Sequence, residues 1–113
     1  MHELGVATQI ADLVTRVVKE HSASKAGEIT VEIGVLSCLD PASLEFCFDA
    51  ITKGTGLESA RLKIEKIDPR ARCRSCKTEY TVRMDDFRCK ACGSGDFDMI
   101  AGREICVRDV EVE

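Results

Sequence analysis

Between residues 4 and 22 the apolar positions recur at spacings of three and four. Val6, Ile10, Leu13, Val14, Val17 and Val18 form one stripe, with Asp12, Arg16, Lys19 and Glu20 on the other side. That period is helical and predicts an amphipathic helix with one buried face. His21 falls near its C-terminal end, where a partly protonated imidazole meets favourable helix-dipole charge, so it reads as structural rather than as a ligand. Over residues 28 to 36 the period changes to two. Ile29, Val31, Ile33 and Val35 point one way and Thr30, Glu32 and Gly34 the other, the pattern of a half-buried strand. A second helix is predicted from Asp40-Pro41, with Asp40 as N-cap, Pro41 at the first helical position, Leu44, Cys47, Phe48 and Ile51 on the inner face, and Gly54 as the stop. Leu62 and Ile64 then alternate with Arg61, Lys63 and Glu65, giving another strand.

Pro69 and the basic stretch after it mark a boundary. Alternation returns only near the C-terminus, where Ile105 and Val107 set one phase and Val110 and Val112 the opposite one. A change of phase inside a strand predicts a bulge near Arg108-Asp109. The expected fold is α+β, with two helices packed on a three-stranded, mainly antiparallel sheet. A small module is inserted before the last strand, so the α+β domain comprises residues 1–68 plus 97–113 and the module residues 69–96.

The 113 residues suffice for one modest domain plus a module of this size, and the 44% apolar content argues against disorder. With 4% aromatics and no Trp, the core must be built from Val, Ile, Leu and Ala. No apolar run approaches the length of a membrane span, and the first residues lack the basic and apolar regions of a signal peptide, so no membrane association is expected. Seven cysteines are an odd number, and Cys38, Cys47 and Cys106 are scattered in apolar settings, which favours a reducing, cytoplasmic location.

The remaining four cysteines carry the clearest chemistry. Cys73-Arg74-Ser75-Cys76 and Cys89-Lys90-Ala91-Cys92 are two CxxC knuckles, with Gly93 after the second. Such knuckles converge four thiolates on one ion, and a closed tetrahedral thiolate shell suits structural Zn(II). Two redox dithiols or a rubredoxin-type iron site are the alternatives, but neither pair opens a helix in a βαβ unit, as a redox dithiol does. The formal net charge is −4, and four thiolates with one divalent ion carry it to −6. Arg70, Arg72, Arg74, Lys77, Arg88 and Lys90 surround this anionic site and are read as its local charge compensation.

The amino terminus offers a second donor set. The amine of Met1, the amide nitrogen of His2 and its imidazole close adjacent chelate rings, and Glu3 adds a carboxylate as ligand or orienting group. A nitrogen-rich planar set suits Ni(II) or Cu(II) better than Zn(II). By itself an early histidine is a weak signal.

The opening MHELGVATQI, the stretch VEIGVLSCLDPASLEFCFDAITKGTGLESARLKIE and the pair CRSC and CKAC resemble the HypA/HybF family over essentially the whole chain and in the family's order. That resemblance implies a nickel metallochaperone for [NiFe]-hydrogenase maturation rather than an enzyme. It implies His2 as the essential nickel ligand, with the Met1 amine and Glu3 beside it, and Cys73, Cys76, Cys89 and Cys92 as structural zinc ligands. Ni(II) is then transient cargo. The implied partners are the maturation GTPase HypB and the hydrogenase large-subunit precursor. Asp40 matches an acidic position near the nickel site in some members, although its role as N-cap is a sufficient account of it. Members with urease or acid-response roles often carry extra histidines around the module, whereas this chain has only His2 and His21.

Readings from other classes fit less well. A nucleic-acid-binding zinc ribbon requires a basic face with stacking aromatics, and here the whole chain is acidic with only Tyr80 and Phe87 near the knuckles. An enzyme would need a Ser/His/Asp set, a phosphate loop or paired carboxylates in a recognisable motif. A zinc-ribbon adaptor without a nickel role differs from the chaperone only in whether His2 binds metal. Monomer and homodimer both remain open, because a terminal strand returning from an insertion can exchange between protomers.

Overall fold

In a computed structural model describing residues 3–113, the first apolar stripe forms helix α1 (Glu3–Glu20). The expectations placed on Met1 and His2 lie outside the described residues. Glu3 in the first turn and Lys19 in the last complement the helix dipole. The helix ends where Ser22 takes a left-handed φ of 51° and His21 Nδ1 lies 2.9 Å from the Val17 carbonyl, which gives His21 the structural place expected of it.

Strand β1 (Ala26–Gly34) follows, then a 3-10 turn (Val35–Ser37), helix α2 (Pro41–Thr52) and strand β2 (Arg61–Ile67). Four later strands complete the chain: β3 (Arg70–Cys73), β4 (Glu79–Thr81), β5 (Phe97–Ala101) and β6 (Ile105–Val112). They form two sheets, of order β2-β1-β6 and β4-β3-β5. Three of the four ladders are antiparallel, and the fourth, β1 with β2, is parallel. The parallel pair follows from connectivity, because α2 lies between β1 and β2 and provides the crossover that parallel neighbours require. Residues 97–101 pair with β3, in the sheet that carries the first cysteine knuckle. Phe97 and Met99 alternate inward onto the module's own apolar cluster.

The main core lies between the two helices and one face of the first sheet. Ile29, Val31 and Ile33 of β1 are buried there with Val14 of α1 and with Leu44 and Phe48 of α2. Each such side chain contributes about 1.5–3 kcal/mol relative to exposure. A separate cluster of Ala71, Cys73, Tyr80, Val82 and Cys89 forms the module's core. With two cores the molecule is elongated, 54 × 26 × 16 Å, and its radius of gyration of 17.5 Å exceeds the about 13 Å of a single globule this long. Among the described residues no helix is long and apolar enough to cross a membrane.

The two parts join at a tight backbone crossing. Gly34 donates its N–H to Glu104 O (2.8 Å) and Leu36 donates to Gly102 O (2.8 Å). Gly102, at φ 121°, packs so closely that a Cβ there would stand 2.7 Å from Pro69 Cα. The chain thus leaves the first sheet at Pro69 and re-enters beside it at Gly102.

The change of phase in the last strand is a bulge. Val107 pairs with Val31 and Asp109 with Thr30, which leaves Arg108 as the extra residue. Its guanidinium reaches across the face away from the helices to Glu32 of β1 (3.3 Å) and Glu65 of β2 (2.9 Å), while Nε meets Asp109 (3.0 Å).

Candidate metal centre

The two knuckles are built alike. In the first, Lys77 donates its N–H to Cys73 O (2.9 Å) and Cys73 donates to Thr78 O (2.9 Å). In the second, Gly93 donates to Cys89 O (2.8 Å) and Cys89 donates to Ser94 O (2.9 Å). Each turn then needs a left-handed residue directly after its second cysteine, supplied by Lys77 at φ 65° and by Gly93 at φ 76°. Gly93 adopts this without strain, whereas Lys77 holds it at a cost of about 1 kcal/mol. The first Cys of each pair is buried and the second exposed, so the knuckles face each other from the module's edge.

All four sulfurs lie within 4.8 Å of one another. Cys73 Sγ is 3.5 Å from Cys92 Sγ, and Cys76 Sγ is 3.6 Å from Cys89 Sγ. A tetrahedron with metal–sulfur bonds of about 2.3 Å has edges of about 3.8 Å. The donor set therefore fits one tetrahedral ion and leaves no protein position open.

The crowded thiols are not equivalent. Hydrogen bonding to the Thr78 side chain, then to its amide, pulls the Cys76 thiol down to about 6. The Cys76 amide lowers Cys73 likewise. The Ser94 amide favours the Cys92 thiolate, but the hydrogen bond with Cys73, burial and the other two sulfurs outweigh it and push that thiol up to about 12. Like charges crowded this closely cannot all ionise until a cation joins them.

The arginines around the knuckles are less free than their sequence implies. Arg74 binds Asp98 through Nε (3.0 Å) and Nη2 (2.6 Å), and Asp96 through Nη1 (3.0 Å). Arg72 pairs with Glu79 and Arg88 with Asp86, both at 3.0 Å. Of the six basic residues expected to offset the thiolates, Arg72, Arg74 and Arg88 are thus engaged with neighbouring carboxylates. This removes much of the basic face that a nucleic-acid ribbon requires. Behind them, Phe87 and Phe97 rings stand 6.0 Å apart, and Tyr80 donates its hydroxyl to Phe87 O (2.8 Å).

Two other residues singled out from the sequence meet where α1 and α2 begin, on the side of the first sheet where β1 ends at the crossing to the module. Glu3 Oε2 accepts the backbone N–H of Asp40 at 3.3 Å, although 37 positions separate the two. Asp40 is the N-cap of α2, its Oδ1 accepting Ala42 N–H (3.3 Å) and its Oδ2 the Ser43 hydroxyl (2.8 Å). Ser43 was not singled out from the sequence, although its place three residues after the cap signals it. No described residue outside the four cysteines joins a cluster of three or more potential metal ligands.

Residues 1–112 match the family model described as hydrogenase/urease nickel incorporation, metallochaperone, hypA. The hydrogenase maturation factor HypA of Desulfatibacillum aliphaticivorans is 40% identical over 113 residues, covering 99% of this chain and 87% of that protein. The Geotalea daltonii factor of the same name is 39% identical over 112 residues, covering 99% of each. The solution structure of the Ni metallochaperone HypA from Helicobacter pylori superposes with a TM-score of 0.72 at 23% identity, covering 99% of this chain and 97% of that one. A second HypA solution structure gives 0.77, also at 23% identity. The superpositions bear out the α+β fold with its four-cysteine module, and the matches run through both knuckles to the last strand. This chain belongs to the HypA family of nickel-incorporation metallochaperones that serve hydrogenase maturation.

Proposed function

We propose that the chain carries one Ni(II) ion at its amino terminus and passes it on during [NiFe]-hydrogenase maturation, while the four cysteines hold a structural Zn(II). The Met1 amine, the His2 amide nitrogen and the His2 imidazole are the nickel donors, with Glu3 beside them and Asp40 as a neighbour that acts first as a helix cap. The observation that carries this reading is the Glu3–Asp40 hydrogen bond, which joins two separately nominated residues where α1 and α2 begin. A closed Cys73, Cys76, Cys89, Cys92 shell has no vacant position for cargo, so zinc there fixes shape. The terminal chelate releases its ion by ligand exchange when a partner offers more donors. Its affinity falls as pH drops through the histidine range, because amine and imidazole must be deprotonated to bind.

The partners in this reading are HypB and the large-subunit precursor, both in the cytoplasm. The test is a calorimetric Ni(II) titration of zinc-loaded protein with its native start, alongside His2→Ala and a variant extended by one residue before Met1. Binding lost in both variants supports the terminal chelate. Binding unchanged in both moves the nickel elsewhere.

A further inference from the structure

The start of helix α2 lacks one half of a capping box. In that motif the N-cap side chain bonds the backbone of the first turn, and a Glu or Gln at the third helical position reaches back to the N-cap N–H. Asp40 supplies the first half by accepting the Ala42 N–H. The third helical position is Ser43, whose hydroxyl is committed to Asp40 Oδ2, so no local carboxylate reaches the Asp40 N–H. Glu3 of α1 occupies that role from outside, accepting the Asp40 N–H at 3.3 Å.

We infer that Glu3 is a positioning residue, completing the α2 capping box in trans and so fastening the first residue of α1 to the start of α2. Its carboxylate lies at the positive ends of two helices, an arrangement favoured by both dipoles. Glu3 directly follows the proposed nickel donors in the chain, so the bond to Asp40 holds the residue from which those donors extend. This inference rests on the terminal nickel site proposed above. It gives Glu3 a duty other than ligation, and it brings Ser43 into the site through what that side chain leaves undone.

The test uses full-length, zinc-loaded protein with its native start and three variants, read by Ni(II) titration and by the Asp40 amide resonance. Glu3→Gln keeps an acceptor oxygen but loses the charge. Glu3→Ala loses both. Ser43→Glu supplies a local capping box that competes for the Asp40 N–H, while Glu3 keeps its charge. Positioning predicts near-native nickel affinity for Glu3→Gln and a loss of about fivefold for Glu3→Ala and Ser43→Glu, the factor one net hydrogen bond supports. The Asp40 amide should shift in Glu3→Ala and stay put in Glu3→Gln. The inference is overturned if Glu3→Gln loses as much affinity as Glu3→Ala, or if Ser43→Glu binds as the native protein does. Should His2→Ala bind nickel normally, the terminal-site reading fails, and the Asp40 amide alone then upholds or overturns the fastening.

Discussion

Gly34→Ala isolates the crossing that joins the two parts of the molecule. Gly34 has φ −64° and ψ 135°, a conformation alanine adopts freely, so the whole cost of the substitution is steric. The added methyl carbon would stand 2.2 Å from Gly102 O, 2.3 Å from Gly102 C and 2.7 Å from Arg103 N, all backbone atoms. Ordinary contact needs a retreat of about 1 Å. That retreat breaks or stretches two hydrogen bonds, Gly34 N–H to Glu104 O and Leu36 N–H to Gly102 O. They contribute about 1 kcal/mol each. Overpacking adds about 1–3 kcal/mol, and the stiffer unfolded chain returns about 0.4–1 kcal/mol. The net loss is about 3 kcal/mol, a large part of the 5–15 kcal/mol typical of a folded domain. Urea unfolding of zinc-loaded protein, followed by helical circular dichroism, should show a midpoint lower by about 1–3 M. Gly93→Ala is the contrast. Its φ is 76° but the methyl meets open space, so only backbone strain of about 1 kcal/mol results. A Gly34→Ala midpoint equal to the native one, or a Gly93→Ala protein less stable than Gly34→Ala, would refute the reasoning.

Asp40→Ala should cost about 1 kcal/mol by the same assay and Asp40→Asn little, because asparagine caps as well as aspartate does. Equal losses in the two would show that the charge and not the cap matters. Cys73→Ser should loosen the knuckles and expose Phe87 and Phe97, while amide exchange stays slow in Ile29, Val31 and Ile33, whose core is separate. Simultaneous loss of protection in both cores would contradict this. The Arg74 hydrogen bond, then its charge, holds the Asp98 carboxyl below its usual range. The pair therefore stabilises the module above the ordinary aspartate range, about pH 4, and that contribution is lost as pH falls through the depressed value. A carboxyl titration followed by NMR should show Asp98 return to the ordinary range in Arg74→Ala, and an unmoved titration would assign the shift elsewhere.

What was legible in the sequence was what local period and local chemistry encode. Val6, Ile10 and Val14 announce the buried face of α1, Asp40-Pro41 the start of α2, the paired cysteines their cluster, and the phase change after Val107 the bulge at Arg108. What was not legible depended on pairings that no window contains. Alternation in residues 61–67 is the same whether the strand runs parallel or antiparallel to β1. The module's sheet escaped because β3 and β4 are only four and three residues long, and Cys73 is both a strand end and a thiolate donor. The arginines near the knuckles read as partners of the thiolates because their carboxylate partners, Asp96 and Asp98 above all, are brought to them only by folding. The Glu3–Asp40 bond spans two helices and leaves no local trace.

The kink at Arg108 bears on the two open edges of the first sheet. A three-stranded sheet with both outer strands open offers two templates for another chain to extend. On β6 the unpaired residue bends the ladder, so an incoming strand cannot keep step along its whole length. The side chain of that residue also ties Glu32 and Glu65 together across the bare face and leaves no flat apolar surface for a second layer. On β2, Arg61, Lys63 and Lys66 line the opposite rim with exposed cations. Both rims of the sheet thus carry features that oppose strand addition, and replacing Arg108 by an aliphatic residue would remove the one that ties Glu32 to Glu65.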